Sequence, residues 1–355
     1  MGFILPDIVL LKNYPAVRKH ILDHYCINEL IHVGRTFKDV NLDAAIIVAR
    51  KENDKESRSQ NLTKVVTDAQ ACFQGAEIGD YIPQARFESA PKYKFNVYLC
   101  GTKVSLKEKL DGQSFWLSEG LECHEGIHSG NIRHKLFTNT KMTPVDYPLI
   151  FGRDEIAPYL LNWAGKWVHY DPSIIDASKG EYAGLGRQEH FTAEKLVVRR
   201  TGDKVIAAYD DKGFFVSNNM FVLLNRKESP FSFYGFKFIL ALLNSKLMTA
   251  YFRLIQPRVA RLFAELKIEH LGQFPIRRID FDNPTEKKMH DDLVALVDKM
   301  LELNKRLAPI RNTPCNERGE LLRDIADGDK EINNLVYKLY ALAEEEKEIV
   351  ESQVA

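Results

Sequence analysis

The chain lacks paired cysteines, a net charge and any long apolar run. Its five cysteines, Cys26, Cys72, Cys100, Cys123 and Cys315, form no C-x-x-C pair in 355 residues. That spacing argues against a disulfide framework or a cysteine-based zinc site, and for a reducing compartment. No apolar stretch reaches the roughly 18 residues of a membrane span and no signal peptide is visible, so a soluble, cytoplasmic protein with no membrane partner is expected. Lys+Arg and Asp+Glu both number 49, which excludes the strongly basic class of nucleic-acid binders unless the charge is segregated. Segregation is present: residues 131–283 carry 22 basic against 16 acidic side chains, net +6, and residues 284–355 carry 11 against 16, net −5. A basic middle with an acidic tail lets one face meet phosphate while the tail stays away from it.

With 45% hydrophobic residues the chain can bury a large core, and two or three domains are expected. Gly2–Pro6 reads as a buried strand, Pro15–Tyr25 as a helix opened by proline, and Asn28–Val33 and Ala44–Ala49 as further strands. Apolar strands alternating with a helix indicate an α/β sheet, of which this segment reads as the last part. From Lys51 to Asp68 the composition turns polar, as in a linker or exposed helix, and residues 93–106 resume a strand-like alternation. Lys195–Arg200, Val205–Tyr209 and Phe214–Leu224 read as strands separated by hairpin-type turns. Tyr234–Leu254 reads as one amphipathic helix, and the tail as two more, through residues 293–307 and 325–351 with a turn at Arg311–Pro314.

Residues 121–137, Leu-Glu-Cys-His-Glu-Gly-Ile-His-Ser-Gly-Asn-Ile-Arg-His-Lys-Leu-Phe, support two incompatible functions. His124-Glu125-Gly126-Ile127-His128 fits the zinc-protease pattern H-E-x-x-H, with His134 where a third ligand would stand, giving a zinc-dependent hydrolase with His124, His128 and His134 on the metal. That chemistry needs both histidines on one face of a continuous helix. Gly126 lies inside it, Ser129-Gly130-Asn131 breaks it, and the extended pattern wants glycine at 131, where this chain has asparagine. The other reading is a polar, glycine-rich turn that brings backbone close to another molecule.

Several blocks, in order, carry a resemblance: Glu125-Gly126-Ile127-His128-Ser129-Gly130-Asn131, Pro148-Leu149-Ile150-Phe151-Gly152-Arg153-Asp154-Glu155-Ile156, Lys195-Leu196-Val197-Val198-Arg199-Arg200, Leu242-Leu243-Asn244-Ser245-Lys246-Leu247 and Gln273-Phe274-Pro275-Ile276. With them, residues 118–283 resemble the TaqI-like specificity domain, the target-recognition domain of adenine-N6 DNA methyltransferases and type IIG restriction-modification enzymes. Phe3–Lys51 resembles the last strands of the catalytic domain of such enzymes, and Ile332–Leu342 their final helix. The implied fold is α+β: a remnant of an α/β methyltransferase sheet at 1–52, a linker with accessory strands at 53–110, a β-rich target-recognition domain at 111–283 and a C-terminal helical pair at 284–355.

The resemblance implies a DNA-recognition module whose parent activity is adenine-specific DNA methylation. Methylation needs a Gly-rich S-adenosylmethionine loop and an Asn-Pro-Pro-Tyr-type motif that grips a flipped adenine. Asp282-Asn283-Pro284-Thr285 has one proline and no aromatic, and Gly184-Leu185-Gly186 follows no strand, so both read as loops. The expectation is a chain with no cofactor and no catalytic residue of its own, inactive alone, with S-adenosylmethionine and magnesium belonging to the complete enzyme. Its expected partners are double-stranded DNA and a separate methyltransferase polypeptide, the latter also allowing the chain to be the C-terminal subunit of a split active enzyme. Arg133, Lys135, Arg199, Arg200, Arg258 and Arg261 are candidates for phosphate contacts. Gly130 allows close approach, and Asn131, His134, Arg153, Asn218 and Asn219 carry groups that read base edges, arginine favouring guanine and asparagine adenine.

Overall fold

The structure, a computed structural model, describes every residue except 35–42, 68, 77, 203, 257–264 and 355, and leaves out the side chains of Gln70 and Arg153. The chain forms two compact units, Met1–Leu106 and Lys107–Ala355. Both mix helix and strand, so the fold class is α+β.

In the first unit β1 (Gly2–Pro6), β2 (Tyr25–Gly34), β3 (Ala44–Lys51), β4 (Leu62–Val66) and β5 (Asp80–Pro83) make one sheet in the order β1-β3-β2-β4-β5. Only β2 and β4 run parallel. Alternate residues of the central strands, Ile27, Leu30, Ile47, Ala49 and Val65, face Ile21 and Leu22 of the helix Pro15–His24 and close the core. From that same helix the fully buried Arg18 donates to the carbonyls of Val9, Lys12 and Lys92 at 2.7 to 3.2 Å. It fastens two loops to the helix, and its burial lowers its pKa.

Three expectations fail in this unit for identifiable reasons. Residues 2–6 form a strand, but an edge strand with Phe3 and Ile4 more than half exposed, because β1 pairs only with β3. The polar stretch after Lys51 holds a five-residue helix, Lys55–Ser59, and then the strand β4, in which Thr63 is fully buried beside Val65 and Val66. Residues 93–106 make no strand: Phe95 and Val97 are buried singly, and a helix begins at Thr102 and runs to Gly112.

The second unit contains β6 (Ser114–Trp116), β7 (Leu121–Glu125), β8 (Phe137–Thr138), β9 (Asp146–Ile150), β10 (Ile156–Ala157), β11 (Leu160–Leu161), β12 (Trp167–His169), β13 (Lys195–Arg199), β14 (Ala207–Asp210), β15 (Phe215–Val216), β16 (Met220–Asn225) and β17 (Pro275–Arg277). Two four-stranded sheets, β14-β13-β16-β7 and β15-β9-β12-β8, share one core. Leu149, Ile150, Val168 and Phe215 from one meet Val197, Ala208, Met220 and Val222 from the other. The expected single helix over 234–254 is two, Gly235–Asn244 and Lys246–Ile255, bent by 63° at Ser245. Ser245 Oγ donates to Leu242 O and accepts from Met248 N, so it ends one helix and caps the next. Among the described residues no single helix is long and apolar enough to cross a membrane.

In the tail Pro284–Leu307 packs on Asn316–Leu339. Asn283 starts the first of these by accepting from the backbone of Thr285 and Glu286, so the Asp282–Thr285 segment is a helix cap. The second expected helix breaks at Tyr340–Ala343, where Ala341 has φ +50°, before Glu344–Val354 resumes. The break lets the buried Tyr340 hydroxyl donate to Pro275 O and accept from Arg277 N, docking the tail on β17.

One pair in the β13–β14 hairpin is fully buried. Lys195 and Asp210 face each other across the strands, 2.5 Å apart. Asp210 also accepts from Lys212 N and Phe214 N, shaping the turn, and Lys195 also donates to Phe191 O. Burial lowers the Lys195 pKa against the pull of Asp210. Lys195→Met strands a buried carboxylate, so urea unfolding should show a loss of about 3 to 5 kcal/mol; a loss under about 1 kcal/mol would mean that water reaches the pair.

Candidate nucleic-acid interface

The segment 121–137 begins as a strand. β7 pairs antiparallel with β16, His124 opposite Val222, and the chain leaves that sheet at Gly126. Ile127 then bridges Ser217, and His128 exchanges two 2.8 Å backbone bonds with Gly184. A Cβ at Gly126 would lie 2.2 Å from Ser217 O, so only glycine fits the crossing. The helix a zinc protease requires is therefore absent, and the alternative reading of His124, His128 and His134 as metal ligands is overturned. His124 stacks on His190 at 3.7 Å, whereas His128 Nε2 faces Glu125 at 2.7 Å and its Nδ1 faces Asn218 Nδ2 at 3.3 Å. Among the described residues the three histidines belong to no common cluster of ligand atoms.

The turn that follows is spent on a neighbouring loop. Gly130 has φ +49°, and a Cβ there would lie 1.9 Å from Tyr182 O. Asn131 donates through Nδ2 to Gly180 O and accepts at Oδ1 from Tyr182 N, both at 3.0 Å. Lys135 is paired with Glu181 at 2.7 Å. The close approach expected of this turn is thus made within the chain, and both ends of the Asn131 amide are committed there.

The sites on β13 and after β15 are similarly engaged. Arg200 donates to Glu265 at 2.6 Å, to Glu125 at 3.2 Å and to Asn218 O, and lies over the Phe221 ring. This is a carboxylate-bound arginine that ties β13 to β7. The half-buried Arg199 guanidinium lies against Gly202. Asn218 reaches His128, and Asn219 Nδ2 donates to Phe151 O at 3.4 Å while its carbonyl accepts from Arg200 N. Arg258 and Arg261 and the Arg153 side chain lie outside the described residues.

Beside these contacts lies a cleft of about 370 Å³ lined by Asn131, Arg133, His134, Phe137, Phe151 and Lys166. Phe151 is where the cations meet: the Arg133 guanidinium sits 4.6 Å and the Lys166 ammonium 5.6 Å from its ring centre, and Phe137 meets it edge-on at 5.3 Å. Lys141 lies 5.5 Å over the nearby Trp167 ring. Among the described residues no carboxylate pairs with Arg133, Lys141 or Lys166, in contrast to Lys135 and Arg200. Phe137, Phe151, Lys141, Lys166 and Trp167 were not singled out from sequence. Phe151 stood in a quoted block, but nothing in spacing shows that two cations converge on it.

A second cavity, about 420 Å³, is lined by Lys135, Thr138, Met142, Thr143, Asp146, His169 and Ile174. At its edge the buried Asp146 accepts from His169 Nδ1 at 2.7 Å, from the backbone of Met142 and Thr143, and from the Thr143 hydroxyl. Burial by itself would raise the carboxyl; the bonds from His169, Met142 and Thr143 outweigh it and hold the pKa at about 2.

Comparison with known proteins finds a domain match within the second unit. Residues 147–276 match the TaqI-like C-terminal specificity domain. The chain carries a TaqI-like specificity domain. Among solved structures the chain is similar to the type IIL restriction-modification enzyme MmeI in complex with DNA, with TM-score 0.54 and 10% identity over 99% of this chain and 49% of that one. The type IIG restriction endonuclease BpuSI gives TM-score 0.39 and 12% identity, over 96% of this chain and 47% of that one. The HsdS subunit from Thermoanaerobacter tengcongensis gives 0.31 and 10%, over 67% and 50%. At such identity the likeness to MmeI is one of fold. The chain spans about half the length of the structures it matches. Comparison with curated proteins gives no match.

The β9–β12 pair, in the middle of the β15-β9-β12-β8 sheet, should be acid-sensitive. A carboxyl held near 2 when folded and near 3.9 when unfolded contributes stability that is complete above about pH 4 and is lost as pH falls toward 2. Chemical denaturation from pH 5 to pH 2 should show this loss in the wild type and a smaller one in Asp146→Asn. Equal losses in both would show that other carboxylates govern acid unfolding.

Proposed function

We propose that the specificity domain reads duplex DNA, and that the chain is the recognition part of an adenine-specific DNA methyltransferase of a restriction-modification system. In this reading S-adenosylmethionine and the motif that grips the adenine belong to a catalytic part not contained in these 355 residues. The observation that carries the proposal is the Phe151 cleft. Its two cations rest on aromatic faces rather than on carboxylates, so their charge is available to phosphate, and each neutralised phosphate releases condensed counterion. His134, exposed in the same cleft, offers ring nitrogens to a base edge. The match to the specificity domain and the fold shared with MmeI, whose structure holds DNA, support the reading.

In this reading the cations on aromatic faces meet DNA and the carboxylate-paired cations hold the fold. In a salt titration of the full chain with duplex DNA, the paired change Arg133→Ala and Lys166→Ala should weaken binding to all sequences and flatten the slope by about 2. Arg200→Ala should leave the slope unchanged and instead lower stability, since it removes the ion pairs to Glu125 and Glu265. Absence of salt-sensitive binding by the wild-type chain would overturn the proposal, and a slope change confined to Arg200→Ala would move the interface to β13.

A further inference from the structure

Tyr182 is 65% exposed, yet it stands on one of the most heavily fastened loops of the specificity domain. Asn131 holds the loop through both ends of its amide, at Gly180 O and Tyr182 N, and its own N–H donates to Tyr182 O at 3.3 Å. Glu181 accepts from Lys135 at 2.7 and 2.8 Å and from Asp176 N at 3.0 Å. Gly184 exchanges two 2.8 Å bonds with His128. The Tyr182 ring lies over Gly130, where a Cβ would come within 2.8 Å of ring atom Cδ2. None of these contacts buries the rest of the ring, and the Tyr182 hydroxyl has no partner among the described residues.

A rigid loop that ends in an exposed aromatic is the form that makes contact at least entropic cost: the backbone is ordered before any partner arrives, and tyrosine has only two side-chain torsions to fix. The position fits a nucleic-acid partner, because Asn131 both fastens Tyr182 and lines the cleft that holds Arg133 and Lys166. A base exposed beside a neutralised phosphate would find a π-face next to the cations. We infer that Tyr182 is the stacking surface of the interface, packing on a base that bound DNA exposes, and that Gly130, Asn131 and the Lys135–Glu181 pair are positioning residues for it. This inference rests on the DNA-recognition reading above. It gives Gly130, Asn131 and Lys135 a role at the interface without a contact of their own.

The test uses the full chain and a duplex that the wild type selects from a random pool, with 5-iodouracil replacing its thymines in turn. Tyr182→Ala should bind on the order of 10-fold more weakly, Tyr182→Phe should bind as the wild type does, and a photo-crosslink should map to Tyr182. Asn131→Ala should speed hydrogen exchange at 180–184 and lose affinity in the same direction. With a wild type that binds, Tyr182→Ala within about twofold of it, or Tyr182→Phe as weak as Tyr182→Ala, overturns the inference and leaves the recognition reading standing. A wild-type chain that selects no duplex overturns that reading, and the inference with it.

Discussion

The two four-stranded sheets of the second unit depend on one crossing of backbone. At Gly126 the chain passes from the β14-β13-β16-β7 sheet to the strand end at Ser217, at a separation no side chain allows. Because Gly126 sits against Ser217 O, Ile127 is buried between the two sheets, His128 bridges Gly184, and Gly130 and Asn131 arrive under the 180–184 loop. Any larger residue at Gly126 would force apart the layers that share the core, and the loop, the cleft and their spacing would move with it. The polar turn follows directly on this contact, so packing inside the second unit sets where the turn lies.

Electrostatics then sorts the basic residues into two sets. Arg200 joins β13 to β7 through Glu125 and to Glu265, Lys135 holds Glu181, and Lys195 is buried with Asp210. These cations are neutralised where they stand. Arg133, Lys141 and Lys166 rest on Phe151 and Trp167, and among the described residues no carboxylate pairs with them. The net charge of residues 131–283 hides this division, since it counts paired and unpaired cations alike.

Much of the β-rich region was legible in the sequence, because β13 and β14 are short apolar runs bounded by turns that carry glycine and aspartate, but the one strand expected over Phe214–Leu224 is two, β15 and β16, in different sheets. The helix at Pro15 and the Arg311–Pro314 turn were legible for the same kind of local reason. Local pattern misled where burial came from distant partners: Gly2–Pro6 looked buried but is an edge, and Thr63 looked like linker but is core. It was silent on the bend at Ser245 and the break at Ala341. At the site, position 131 was singled out, but its partners lie 49 and 51 residues away, and Arg200 reaches Glu125 and Glu265 across 75 and 65 residues. Such pairings are set by the tertiary fold, and no spacing along the chain shows them.

Under the proposed function, DNA is met by the surface built from the 128–137 turn, the Phe151 cleft and the 180–184 loop. Hydrogen exchange of the full chain, measured with and without a duplex it selects, reads that surface directly. Slowed exchange is expected to be confined to residues near 128–137, 150–153, 164–168 and 180–184, with the helices Pro284–Leu307 and Asn316–Leu339 unchanged. Protection concentrated on those tail helices, with the cleft and the 180–184 loop unaffected, would contradict it.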